Sequence, residues 1–237
     1  MKNRIAIVVP GNWTAENELV AQFASGNSGF MLAGGLLRSQ TSGTIFELNF
    51  LKSDPNMTRA FEIGGYGRIE KSILKSIERH RSIALVTSEN AGNDFAQQIL
   101  EIGTSLIRFG GIGIKVDSSG LAFAPVDWEY YCKMRFEAAA LLYSFVNMIN
   151  QAGRIQTCGF HCFGLPELRV DSISDETKAG LLIESCGIAM IQRSKDFSMQ
   201  ASTILDIHGQ EHRIKERIPS NYEQTSLFYN PLGILAI

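Results

Sequence analysis

Residues 109–125 read FGGIGIKVDSSGLAFAP, with Gly110, Gly111 and Gly113 crowded beside Lys115 and an Asp-Ser-Ser-Gly behind them. A phosphate-cradling loop needs a strand, then glycines, then a helix N-terminus whose free N–H groups face the anion. Here Phe95, Ile99, Ile102 and Leu106 recur at helical spacing just before the glycines. The helix therefore comes first, and its carbonyl end repels phosphate. Neither G-x-G-x-x-G nor a Walker pattern is present. The stretch reads as a junction: Gly110 or Gly111 stops a helix, Ile112–Val116 forms a strand, and Ser118-Ser119-Gly120 turns it.

Working back from this junction, Ile5–Val9 is a continuous apolar run, as in a strand buried on both faces. Thr14 caps a helix carrying Leu19, Val20 and Phe23, and Phe30–Leu37 and the alternating Phe46, Leu48, Phe50 run form a hairpin. Ile69, Ile73, Leu74 and Ile77 mark a helical face, and Ser82–Thr87 is a further apolar strand. The order strand, helix, strand, strand, helix, strand is the split βαβ pattern of a ferredoxin-like unit. From Ile112 the same order is expected again: strand, a long helix over Phe136–Ile149 capped by Gly153, strands Ile155–Phe163 and Leu168–Val170, and a helix at Ser174–Arg193. A last hairpin, Thr203–Ile207 with His212–Ile218, follows. The expected fold class is α+β: two ferredoxin-like halves, 1–90 and 91–237, the second with an extra C-terminal strand, forming mixed or antiparallel sheets packed with helices in one compact unit. The alternative is a single mixed sheet with helices on one face. The apolar LGILAI at 232–237 is expected to be buried.

Composition narrows the function classes. Of 237 residues, 45% are hydrophobic and 19% charged, with net charge −2. This is a globular composition without the concentrated basic face that nucleic acid or an anionic membrane requires. The basic run 68–81 interleaves its cations with Glu70 and Glu78, as a solvated helix face does. Pro10 and Gly11 cut the first apolar run too short for a secretory leader, and no run approaches a membrane span. Four cysteines without framework spacing suit a reducing, cytoplasmic setting.

Three polar groupings are candidates for chemistry. Gly65, Gly67 and Arg68 (in GGYGR) precede a helix, where Arg68 could assist an anion. Cys158, His161 and Cys162 (CGFHC) have metal-ligand chemistry. On a strand, however, His161 faces away from the two cysteines, so the expectation is buried thiols and no metal. Asp206, His208, Glu211 and His212 gather around the last hairpin, as an acid–base or metal constellation or as the polar dressing of an exposed turn. No cofactor motif is found.

The stretches SIALVT, GIGIKVDSSGLAFAPVDW, FHCFGLPELRV and DETKAGLLIESCGIAMI, with Pro219-Ser220 before a closing strand, follow one another in an order that resembles the bacterial family catalogued as domain of unknown function 4261. The resemblance covers about Ser82 to Leu227. It implies a bacterial or phage-borne protein, carries no catalytic residues across, and suggests an immunity protein neutralising a secreted toxin. The leading expectation is a non-catalytic protein that binds another protein. The rivals are an enzyme or small-ligand binder with a polar site near His208–His212, and a structural or self-assembling module, for which a homo-oligomer is the natural form.

Overall fold

The computed structural model describes residues 5–151, 153–171, 175–198, 200–226 and 228–237. In chain order the elements of the first part are β1 (Ile5–Gly11), α1 (Glu16–Ser25), β2 (Phe30–Ala33), β3 (Leu36–Ser39), β4 (Ile45–Lys52), α2 (Met57–Gly65), α3 (Lys71–Glu78), β5 (Ser82–Ser88) and α4 (Asn93–Arg108). After the junction come β6 (Ile114–Val116), β7 (Leu121–Phe123), α5 (Pro125–Lys133), α6 (Ala138–Phe145), β8 (Asn147–Gln151), β9 (Arg154–Cys158), a 3-10 turn at Phe160–Phe163 and β10 (Glu167–Val170). The chain closes with α7 (Glu176–Gln192), β11 (Thr203–Leu205), β12 (Glu211–Arg213), β13 (Glu216–Ile218) and β14 (Ile234–Ala236). The protein is α+β.

One antiparallel sheet has the strand order β2-β3-β4-β5-β1-β6-β7. A second runs β13-β14-β10-β9-β8, antiparallel except where β10 and β14 lie parallel, and β11-β12 form a separate ribbon. The period-two alternation of β1 explains its uninterrupted apolar run. Ile5, Ile7 and Val9 join the main core with Leu19, Phe23, Leu100 and Leu106 of α1 and α4. Val8 faces Met57, Phe61 and Ile77 of α2 and α3. The main core continues without a break through Trp128, Phe145 and Phe160 to Cys186, Ile191 and Leu235, so both sheets share it. Asn93 Nδ2 on α4 also donates to Ile191 O at 2.9 Å.

The junction at 109–125 stops a helix and turns a strand as its residues dictate, but the strand runs Ile114–Val116 and not from Ile112, with Gly111 making an isolated bridge to Gly11. Phe109 caps α4, Gly110 takes φ +104°, and Gly120 takes φ +80° in the turn between β6 and β7. However, β6 pairs with β1, so the strand expected to open a second half completes the first sheet. The order expected for 1–90 also gains elements: Gly34 and Gly35, both at positive φ, fold Phe30–Ser39 into two strands, and the crossover holds two helices. Thr14 does not sit at the N-cap position of α1; its hydroxyl pairs with Glu18, one turn in.

Three boundaries differ for tertiary reasons. The helix expected over 136–149 ends at Phe145, because Val146 turns extended and Asn147–Gln151 pair with β9. Gly153 (φ +77°) therefore turns that hairpin and caps no helix. The strand expected over 155–163 stops at Cys158, where Gly159 takes φ +133°. Residues 212–218 divide between the ribbon and the second sheet. The α7 stripe matches its reading, with Ala179, Ile183, Cys186, Ala189 and Met190 buried; its expected first residue, Ser174, lies outside the described residues. Ile234–Ile237 are buried in the chain's own fold.

Candidate functional site

Gly65 closes α2, Tyr66 caps it in the left-handed region, and Gly67 follows at φ +75°. The group thus presents a helix C-terminus, and Arg68 Nε donates to the Gly65 carbonyl at 3.2 Å. The guanidinium also lies 6.0 Å from the Tyr66 ring centroid. The next helix, α3, has the acidic Glu70 at its N-cap position. Carbonyls and a carboxylate make this a poor place for an anion.

Cys158, His161 and Cys162 are all buried, the last two on the 3-10 turn rather than on a strand. Their organiser is Glu167, at the start of β10. Its carboxylate accepts the backbone N–H groups of Gly159, Phe160 and His161 at 3.2–3.3 Å. It also accepts Thr157 Oγ1–H at 2.8 Å and Asn230 Nδ2–H at 3.0 Å. His161 Nδ1 faces it at 3.3 Å. Burial pushes Glu167 up, but its hydrogen bonds to His161, Asn230 and Thr157 and the His161 charge outweigh that and hold it below the usual carboxylate range. Burial pulls His161 down, and Cys162 and Glu167 more than reverse this, raising it to about 10. The two cysteines close on Ser118: Ser118 Oγ and Cys162 Sγ are 3.4 Å apart, and Cys158 Sγ is 3.9 Å from Ser118 O. Burial, then Glu167 and Cys162, push the Cys158 thiol far up, and burial raises Cys132 and Cys186 as well, the latter to about 12. A raised pKa keeps Cys132, Cys158 and Cys186 mainly as thiols at neutral pH. The Glu167 carboxylate ties Thr157, the 3-10 turn and Asn230 together.

Asp206 and His212 do come together, with His212 Nε2 3.1 Å from Asp206 Oδ2. Asp206 Oδ1 also accepts the backbone N–H groups of His208 and Gln210, at 2.8 and 2.9 Å. Its carboxylate is held low by the His212 contact first, with the two backbone bonds adding to it. These bonds close the turn around Gly209. The side chains of His208 and Glu211 are exposed, apart from this pair. Among the described residues, no group of three or more His, Cys, Asp or Glu side chains could hold a metal ion. No helix among them is long and apolar enough to cross a membrane.

Two features were not singled out from the sequence. The first is a cleft of about 500 Å³ between the β2–β3 hairpin and α4–α5, lined by Ser28, Thr41, Thr104, Arg108, Glu129 and Lys133 among others. Arg135 on its wall pairs with Glu101 at 2.7 Å.

The second is the outer face of α5. Val126 and Tyr130 lie one turn apart, Met134 follows a turn later, and Phe136 comes just beyond. Their exposures are 70%, 60%, 41% and 71%. The inner face of the same helix is locked: Trp128 is fully buried and its Nε1–H donates to Leu100 O at 3.1 Å. Trp128 lies so close to Gly103 of α4 that a Cβ there would meet its ring at 2.5 Å. The Arg135 guanidinium stands 4.5 Å from the Phe136 ring centroid. On the neighbouring α6, the hydroxyl of Tyr143 donates to Glu184 of α7. The sequence signal was present in PVDWEYYCKMRF, where aromatics occupy both helix faces instead of one stripe. Comparison with protein-family models, with curated proteins and with solved structures finds no match for this chain.

Proposed function

We propose that this protein acts without catalysis, by binding another protein through the outer face of α5. The observation that carries this reading is a continuous exposed set: Val126 and Tyr130 on a helix whose opposite face is pinned by Trp128, then Met134 at its C-cap and Phe136 in the turn beyond. Exposed aromatics and methionine on a rigid element are what binding hot spots are made of, since they bury much area at little entropy cost. The two histidine–carboxylate groupings, by contrast, are spent on bracing a turn each. The resemblance to family 4261 supplies the narrower form, an immunity protein whose partner is a toxin encoded beside it. Co-purification with the products of neighbouring genes tests the reading. A stoichiometric complex is expected, and Tyr130→Ala or Phe136→Ala each weakens it by about 30-fold, the effect of losing a hot-spot aromatic. No complex with any neighbour, or one indifferent to both substitutions, overturns it.

A small-ligand reading is favoured by one observation, the cleft between the β2–β3 hairpin and α4–α5. Its volume lies within the range of ligand sites. Arg108 and Lys133 on its wall make no ion pair among the described residues. On this reading inorganic phosphate or citrate raises the melting temperature of the wild type and not of Arg108→Ala. Equal shifts, or none, dispose of it.

A further inference from the structure

Strands β2, β3 and β4 turn Phe30, Leu32, Leu37, Phe46 and Leu48 into the main core. Period-two alternation therefore sends Met31, Ala33, Leu36, Arg38, Ile45 and Glu47 to the opposite face of the sheet. On that face α2 and α3 cover Val8, Ile83 and Ala122 of β1, β5 and β7. Over β2–β4 the same face stands open: Met31, Leu36 and Ile45 are 52%, 47% and 53% exposed.

The register makes a checkerboard of four of these residues. Arg38 lies opposite Ile45, and Leu36 opposite Glu47. Arg38 and Glu47 thus occupy one diagonal, Leu36 and Ile45 the other, and Met31 extends the apolar area beside Arg38 on β2. Neither Arg38 nor Glu47 makes an ion pair among the described residues.

We infer that this face is where two copies of the chain pack about a two-fold axis. An axis lying between the two sheets, along the Leu36–Ile45 diagonal, sets Leu36 on the partner's Leu36 and Ile45 on the partner's Ile45. The same operation carries the other diagonal onto itself in reverse, so Arg38 meets the partner's Glu47 and Glu47 meets the partner's Arg38. A patch with one cation and one anion exchanged by the symmetry is complementary to itself, as an isologous interface requires. Pairing along the free edge of β2 is the less suitable route. The Ser28 hydroxyl already accepts the Phe30 N–H and donates to the Phe30 carbonyl, both at 3.2 Å, occupying part of that edge.

Sedimentation of the purified chain over a concentration series, with no other protein present, tests this independently of α5. The wild type is expected to dimerise. Arg38→Glu and Glu47→Arg, both at exposed positions that leave the fold intact by circular dichroism, each raise the dissociation constant about tenfold or more by setting like charges together. Mixing the two variants restores the dimer, because one then carries two acids at these positions and the other two bases. A monomer at every concentration overturns the inference. So does a dimer that ignores both substitutions, or a mixture that fails to recover.

Discussion

Gly159→Ala is expected to leave little folded protein. A Cβ at this position would lie 2.0 Å from the Phe145 carbonyl oxygen and 3.0 Å from the Phe145 carbonyl carbon and Val146 Cα. These are backbone atoms at the point where α6 gives way to β8, so no side chain can swing aside. The residue also sits at φ +133°, a conformation that costs an L side chain about 1–3 kcal/mol before any clash. Together these amount to about 4 kcal/mol or more, a large part of the ~5–15 kcal/mol that holds a domain folded. Thermal melting checks it: a fall of about 10 °C or more, or loss of soluble protein, is expected. Gly153→Ala is the control. Gly153 also has positive φ, but its Cβ would meet open space, so it costs only about 1 kcal/mol. Equal effects at the two positions would contradict the close-approach argument.

Glu167→Ala has the second largest expected effect, about 3–5 kcal/mol, the cost of breaking a buried pair. Three backbone N–H groups, Thr157, Asn230 and His161 lose their shared acceptor at once. The sign of the pH dependence follows from the two shifts. His161 is raised when folded, so its contribution is full below 6.5 and is lost as pH rises through about 10. Glu167 is lowered when folded, so its contribution is full above 4.5 and is lost as pH falls through its folded value. The brace is therefore strongest between 4.5 and 6.5. Denaturant midpoints measured across pH should peak there in the wild type, and the peak should flatten in Glu167→Gln.

The same residues show where reading the chain succeeds and where it stops. The apolar run of β1, the α7 stripe and the helix stop and turn of the junction at 109–125 are set by neighbours in sequence, and each folds as its pattern says, whereas the sheet that β6 joins is a matter of tertiary pairing. The brace is different. His161 reads as the odd face of a strand until Glu167, six residues on, and Asn230, from the far end of the chain, draw 160–163 into a turn. The hint lay in FHCFGLPELRV, where one carboxylate stands inside a largely apolar run; a buried acid needs donors, and local patterning does not supply them. Asn147–Gln151 likewise follow a helix and become a strand only because Arg154–Cys158 lie alongside. The α5 face escapes the sequence reading, because its exposure depends on which side Trp128 occupies, and packing decides that.

The most direct test is the affinity for the protein recovered with the chain from its gene neighbourhood, measured by titration calorimetry on two double variants. Tyr130→Ala with Phe136→Ala strips the exposed aromatics of α5 and of the turn after it, and His208→Ala with Glu211→Ala strips the exposed polar tip of the last hairpin. Loss of at least about 100-fold in the first and an unchanged affinity in the second is the predicted result. An unchanged affinity in the first, or a loss confined to the second, would contradict it.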